Sequence, residues 1–178
     1  WMITHNDFLY VIADYGLTLL LVGIVQLVWR GPSTPWVIAS IIVSVIAALA
    51  VFAILKAGAL PVVLGGDHSV NIPCINAFDG HGPIHIVQID AHLDFVDERH
   101  GVRFGHGSPL RRAAEKSYVT GMTQIGIRNV SSTAREGYED ARRMGSDILS
   151  VRQFRKLGVD QVLERIPPGK RYYVTIDI

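Results

Sequence analysis

The 178-residue chain carries 17 Lys and Arg against 16 Asp and Glu, a balance that leaves no basic footprint and excludes nucleic acid as the expected partner. It is long enough for one domain with a real core. Its single cysteine, Cys74, can supply neither an intrachain disulfide nor a thiolate-rich zinc site, and reads as a small buried hydrophobe.

Charge is unevenly placed, since residues 1–57 hold only Asp7, Asp14, Arg30 and Lys56. Residues 36–55, WVIASIIVSVIAALAVFAIL, are uncharged, with Ser40 and Ser44 as the polar side chains. At about 1.5 Å per residue such a helix spans a hydrocarbon core of about 30 Å. Residues 8–29 are almost as apolar but contain Asp14, which costs about 3 kcal/mol at the centre of a membrane helix and less near an end. The RGPSTP connection at 30–35 lies between Trp29 and Trp36, which suits an interfacial turn. The expectation is an apolar helical hairpin in residues 1–57, with transmembrane helices at about 8–29 and 36–55 and membrane insertion through 8–55. Two buried helices of a core are the other reading of the same composition. A cleaved signal fits poorly, because no basic segment precedes Phe8. Arg30 and Lys56 leave orientation undecided.

From residue 58 onward short β-branched runs alternate with amphipathic stretches, an α/β pattern. Strands are predicted at 61–64 (PVVL), 84–89 (IHIVQI), 123–127 (TQIGI), 147–149 (DIL) and 172–178 (YYVTIDI). Helices are predicted at 69–78, 108–116, 132–144 and 151–166, the last broken near Gly158. Strands that are apolar throughout, without alternation, point to a mainly parallel sheet covered on both faces.

Three of these strand ends carry chemistry. D-A-H-L-D places Asp90, His92 and Asp94 where IHIVQI leaves the sheet, the end at which parallel-sheet sites lie. His68 follows PVVL in G-G-D-H-S, and Asp177 closes T-I-D-I. Oxygen and nitrogen donors without thiolate suit a borderline-hard divalent ion such as manganese better than a structural zinc. Taken singly, each has a plainer explanation: a loop histidine at 68, an N-cap at Asp67 or Asp90, a polar turn at 90–94. Asp97, Glu98, Arg99, His100 and Arg103 read as a solvated mouth loop, Arg111 and Arg112 as partners of surface acids, and Arg128 as a structural ion-pair partner.

Together, G-G-D-H-S, I-D-A-H-L-D, G-H-G-S-P-L-R-R-A, Q-I-G-I-R and V-T-I-D-I stand in the order found in the ureohydrolases, the agmatinase and arginase family, which the chain resembles over about 54–178. The wording of the loop and of H-G-S-P-L-R-R-A is agmatinase-like. The resemblance implies a three-layer α/β/α fold, here incomplete, and two Mn2+ ions bridged by a hydroxide. His68, Asp90, Asp94 and Asp177 would bind one ion; Asp90, His92 and Asp177 would bind the other. The family has a further aspartate two residues after Asp177, and the sequence stops at Ile178. The implied reaction is hydrolysis of a small guanidino substrate, agmatine-like, to urea and an amine. Asp94 would orient the hydroxide and His106, in G-H-G-S, would shuttle a proton to the leaving amine; a plain loop histidine is the other reading of His106.

Trp1 ahead of Met2 and an end inside a strand read as a piece of something longer: a membrane hairpin at 1–57 joined to a partial metal-binding domain at 58–178. That places the protein at a membrane with its polar part in the cytoplasm, or in the cytoplasm altogether if the hairpin is core. The competing function is a membrane-anchored metal-binding or interaction remnant without turnover. Relatives commonly assemble, so a homo-oligomer is also expected.

Overall fold

The computed structural model describes residues 34–65 and 67–177, in two units that divide between Ala77 and Phe78. In the first unit, the uninterrupted run of Ile, Val, Ala and Leu winds into helix α1, Thr34–Lys56. Ala47 and Val51, one turn apart, are buried at 4% and 2% exposure, and α1 lies against the short helix α2, Asn71–Asn76. The expected membrane insertion, and with it the membrane-associated localisation, is corrected here: among the described residues no helix is long and apolar enough to cross a membrane. Ile41, Ile42, Val45 and Leu49 of α1 are exposed. The other expected arm of the hairpin, 8–29, lies outside the described residues.

A strand expected at 61–64 is absent; the segment joins no ladder among the described residues. Leu60, Val62 and Leu64 are exposed while the residues between them are half-buried, so the alternation of a strand is there without a pairing partner. The helix expected at 69–78 arrives in two pieces. Asp67 accepts a hydrogen bond from the Ser69 amide at 2.8 Å and caps a 3-10 turn, His68–Val70, which runs into α2. Cys74, on α2, is 1% exposed, and burial pushes its thiol up to about 12.

The second unit is built on a parallel sheet. Strands β1 (Ile84–Ile89), β2 (Val119–Ile127), β3 (Ser146–Ser150) and β4 (Arg171–Ile176) pair in the order β3-β2-β1-β4. Between them run helices α3 (Pro109–Ala114), α4 (Arg135–Arg143) and α5 (Val151–Leu163), so the expected arrangement of a parallel sheet with flanking helices is present. On one face Val87, Ile125, Leu149 and Val162 form a buried cluster with Phe154, Leu157 and Ile166 against it. Successive strand residues alternate faces, which puts Ile86, Gln88, Met122 and Gln124 on the other.

Local signals explain the boundaries. Ser150 caps α5 through a reciprocal box with Gln153, an arrangement that satisfies two otherwise unpaired amides. Gly158, at φ 76, interrupts α5 where the break was predicted. Helix α4 starts at Arg135 rather than at 132, because Asn129 accepts from the Ser131 amide at 3.0 Å and holds that stretch in a turn.

Candidate metal centre

All four strands run the same way, so their C-terminal ends open on one edge of the sheet. There Ile89 of β1 is in register with Ile176 of β4, and the residues that follow them, Asp90 and Asp177, leave the sheet side by side. Backbone bonds fix both: the Asp90 amide donates to Ile125 O and the Asp177 amide to Ile89 O, each at 3.0 Å. Asp94 turns back on the same point. It sits in the left-handed region at φ 52, a conformation Asp tolerates better than most residues, and its carbonyl accepts from the Leu110 amide at 3.2 Å.

Each of these three aspartates offers a carboxylate oxygen, and those oxygens lie within 4.8 Å of one another. Asp90 and Asp94 are buried, at 3% and 5% exposure. Carboxylate oxygens gathered this closely fit a hard or borderline divalent cation.

His92, His68 and His106 are the remaining candidates. The backbone amide of His92 donates to Asp90 Oδ1 at 2.7 Å; its ring has Nδ1 3.4 Å from that oxygen and Nε2 3.1 Å from Asn129 Nδ2. His68 opens the 3-10 turn of the first unit, where its carbonyl accepts from Asn71 Nδ2 at 3.1 Å. His106 is exposed in the loop ahead of α3.

The mouth loop is more tightly tied than solvated charge would be. Arg112, buried at 4% exposure, pairs with Asp97, and with Glu115 at 3.0 Å. Arg103 reaches the same Asp97 at 3.1 Å. Hydrogen bonding from Arg112, more than any other influence, holds the Asp97 carboxyl below its usual range. Arg111 pairs with Asp140 at 2.6 Å. Arg128, expected to pair with an acid, donates instead to the Gly126 carbonyl at 3.1 Å. A concavity of about 210 Å³ lies beside this loop, lined by Phe95, Asp97, Glu98, Arg111, Thr133 and Asp140 among others, and by none of the candidate ligands.

Sequence reasoning overlooked three amides. Gln88, Gln124 and Asn129 all bond to residues of the D-A-H-L-D run. The signal was available, since a glutamine in the middle of a strand that is otherwise apolar must find partners when buried.

The sequence model of the arginase family matches residues 33–178 and so takes in α1 as well as the sheet. "Arginase 2, chloroplastic/mitochondrial" of Arabidopsis thaliana is 35% identical over 123 residues, 66% of this chain and 34% of that protein. The solved agmatine ureohydrolase of Thermoplasma volcanium superposes with a TM-score of 0.62 at 29% identity, over 75% of this chain and 44% of that one. Formimidoylglutamase from Bacillus subtilis, at 23% identity, shares the fold with a TM-score of 0.69 over 78% of this chain and 46% of its own. The chain thus spans less than half the length of each of these proteins. Because the family's sequence pattern runs from residue 33 to residue 178, through the strands whose ends carry the aspartates, the chain belongs to the arginase family.

Proposed function

We propose that this chain supplies the metal-binding part of a manganese-dependent hydrolase that converts a guanidino compound to urea and an amine. The observation that carries the reading is the convergence of Asp90, Asp94 and Asp177 at the sheet edge. Two Mn2+ ions are the proposed cofactors. His68 would join the three aspartates around one, while Asp90, Asp177 and His92 would hold the other, a role supported by the nearness of the His92 ring to Asp90. Bound there, the cations would lower the pKa of a water and so make it a better nucleophile toward the guanidinium carbon at neutral pH.

The chain's own groups have distinct tasks in this reading. The Asp94 carboxylate, fixed by its left-handed backbone, accepts a proton from the attacking water and aims its oxygen at the guanidinium carbon. Addition of the oxygen makes that carbon tetrahedral; its bond to the substituted nitrogen then breaks as the added hydroxyl loses its proton to solvent and urea forms. That nitrogen leaves as an amine and needs a proton, which the His106 imidazole delivers; the glycines on either side of it, Gly105 and Gly107, let the loop bring the ring to the departing group. An agmatine-like substrate is favoured by the wording of the loop from His106 to Ala113. The similar proteins include both an arginase and an agmatine ureohydrolase, so agmatine, 4-guanidinobutyrate and arginine are the substrates to compare.

The test measures manganese bound per chain and urea released from those three compounds by a form that spans the whole length of the similar proteins. Metal-dependent urea release, lost in His106→Ala with metal content unchanged, is the expected result. Urea release that persists in full after chelation rejects the metal-dependent reading, and cation binding without urea from any of the three rejects the hydrolase.

A further inference from the structure

Behind Asp90, inside the sheet, two glutamines face each other. Gln88 of β1 and Gln124 of β2 are in register and fully buried. Gln124 Nε2 donates to Gln88 Oε1 at 2.6 Å and to Leu93 O at 2.8 Å. Gln88 Nε2 donates to Asp90 Oδ2 at 2.7 Å and to His92 O at 3.2 Å. Every partner of the two amide nitrogens is a carbonyl or carboxylate oxygen, so the direction of both amides is settled: a flipped Gln88 would set its own oxygen against the Asp90 carboxylate. Donation therefore runs one way, from Gln124 to Gln88 to Asp90.

The pair is a poor device for stability alone. Gln124 Oε1 is buried with no protein partner, a cost that an apolar side chain at the same position would not carry. What the pair does accomplish is orientation. Asp90 Oδ1 is held by the His92 amide and Oδ2 by Gln88, so neither oxygen can rotate freely. The same two glutamines pin the carbonyls of His92 and Leu93, the backbone that leads to Asp94.

We infer that Gln88, braced by Gln124, is a positioning residue that presets Asp90 and the loop to Asp94 for a divalent cation. This rests on the metal-site reading above. Groups that hold metal-ligating side chains in place commonly contribute 10- to 100-fold, roughly, in metal affinity.

Titration of Mn2+ into metal-stripped native chain, Gln88→Met, Gln124→Met and the double variant, with thermal unfolding of each, decides the matter. Gln88→Met is expected to bind Mn2+ roughly 10- to 100-fold more weakly. Gln124→Met, which keeps the Gln88 contact to Asp90, is expected to lose less. In the double variant the Gln124 amide, which Gln88→Met leaves short of a partner, is gone as well, so thermal stability rises above that of Gln88→Met while Mn2+ affinity stays low. A merely structural pair would show the reverse, affinity recovering along with stability, and that result overturns the inference. So does Gln88→Met binding Mn2+ with the native Kd. If the native chain itself takes up no Mn2+, the metal-site reading fails and the inference with it, an outcome distinct from both.

Discussion

Buried polar side chains in this sheet behave differently according to the strand end at which they stand. Gln88 and Asp90 lie toward the C-terminal end of β1 and form part of the site. His85, near the start of the same strand, is 5% exposed and bonds through Nε2 to Thr123 Oγ1 at 2.9 Å, with Tyr172 edge-on to its ring. Burial, and then the nearby Lys170, oppose a charge on the ring, with Asp147 acting the other way, so its pKa lies below the ordinary 6.5. Between that lowered value and 6.5 the unfolded chain binds a proton that the folded chain does not. The contribution of His85 to stability is therefore fully present above about pH 6.5 and is lost as the pH falls from there toward the folded value. Chemical denaturation at a series of pH values should show native stability declining over this window and a flatter profile for His85→Gln. Parallel profiles would assign the decline to other groups.

At the scale of elements, the bend that ends β2 matters most to the site. Gly126, at φ +90, passes so close to β1 that a Cβ there would lie 3.1 Å from the Asp90 carbonyl oxygen. Gly126→Ala is expected to cost about 1–2 kcal/mol through the left-handed backbone and the crowding together. It should also weaken Mn2+ binding if Asp90, whose carbonyl it displaces, is a ligand as proposed. Urea denaturation and Mn2+ titration of the variant check both effects, and native stability in Gly126→Ala would show that the strands separate freely there. Elements whose determinants are local were readable in advance. The Gly158 break in α5 is a backbone property of one residue, and β1 is bounded where its β-branched run ends. The failures were elements that depend on a partner. Residues 61–64 have strand composition and strand alternation but no ladder to join. Strand β2 begins four residues earlier than its composition suggested, because Val119 pairs with Ile84 across an irregularity in the ladder that the sequence does not display.

For the molecule as a whole, cation binding at the three clustered carboxylates would be linked to folding. Mn2+ at a free concentration of about 100 times its Kd should stabilise the folded chain by about 2.7 kcal/mol, seen as a rise in Tm that excess chelator reverses. Asp94→Asn, which removes one anionic oxygen donor, should be less responsive to Mn2+ than the native chain. Calorimetry with and without the ion checks this. An Asp94→Asn chain with the native Tm shift would place the cation elsewhere.

What the sequence by itself determined is the chemistry and its order along the chain: an α/β alternation, oxygen and nitrogen donors after particular strands, and a motif series that identifies the arginase family. Those features are local or covalent, and they survive without knowledge of any neighbour. Only the tertiary structure decided the rest. Whether the apolar run at 36–55 meets lipid or protein depends on what lies beside Ala47 and Val51, and composition is the same in both cases. The rank of β4 beside β1, rather than beside β3, is what puts Asp177 next to Asp90, and strand order in a parallel sheet is set by crossovers and packing that no single segment encodes. Gln88 and Gln124 lie 36 positions apart and become one unit through register alone.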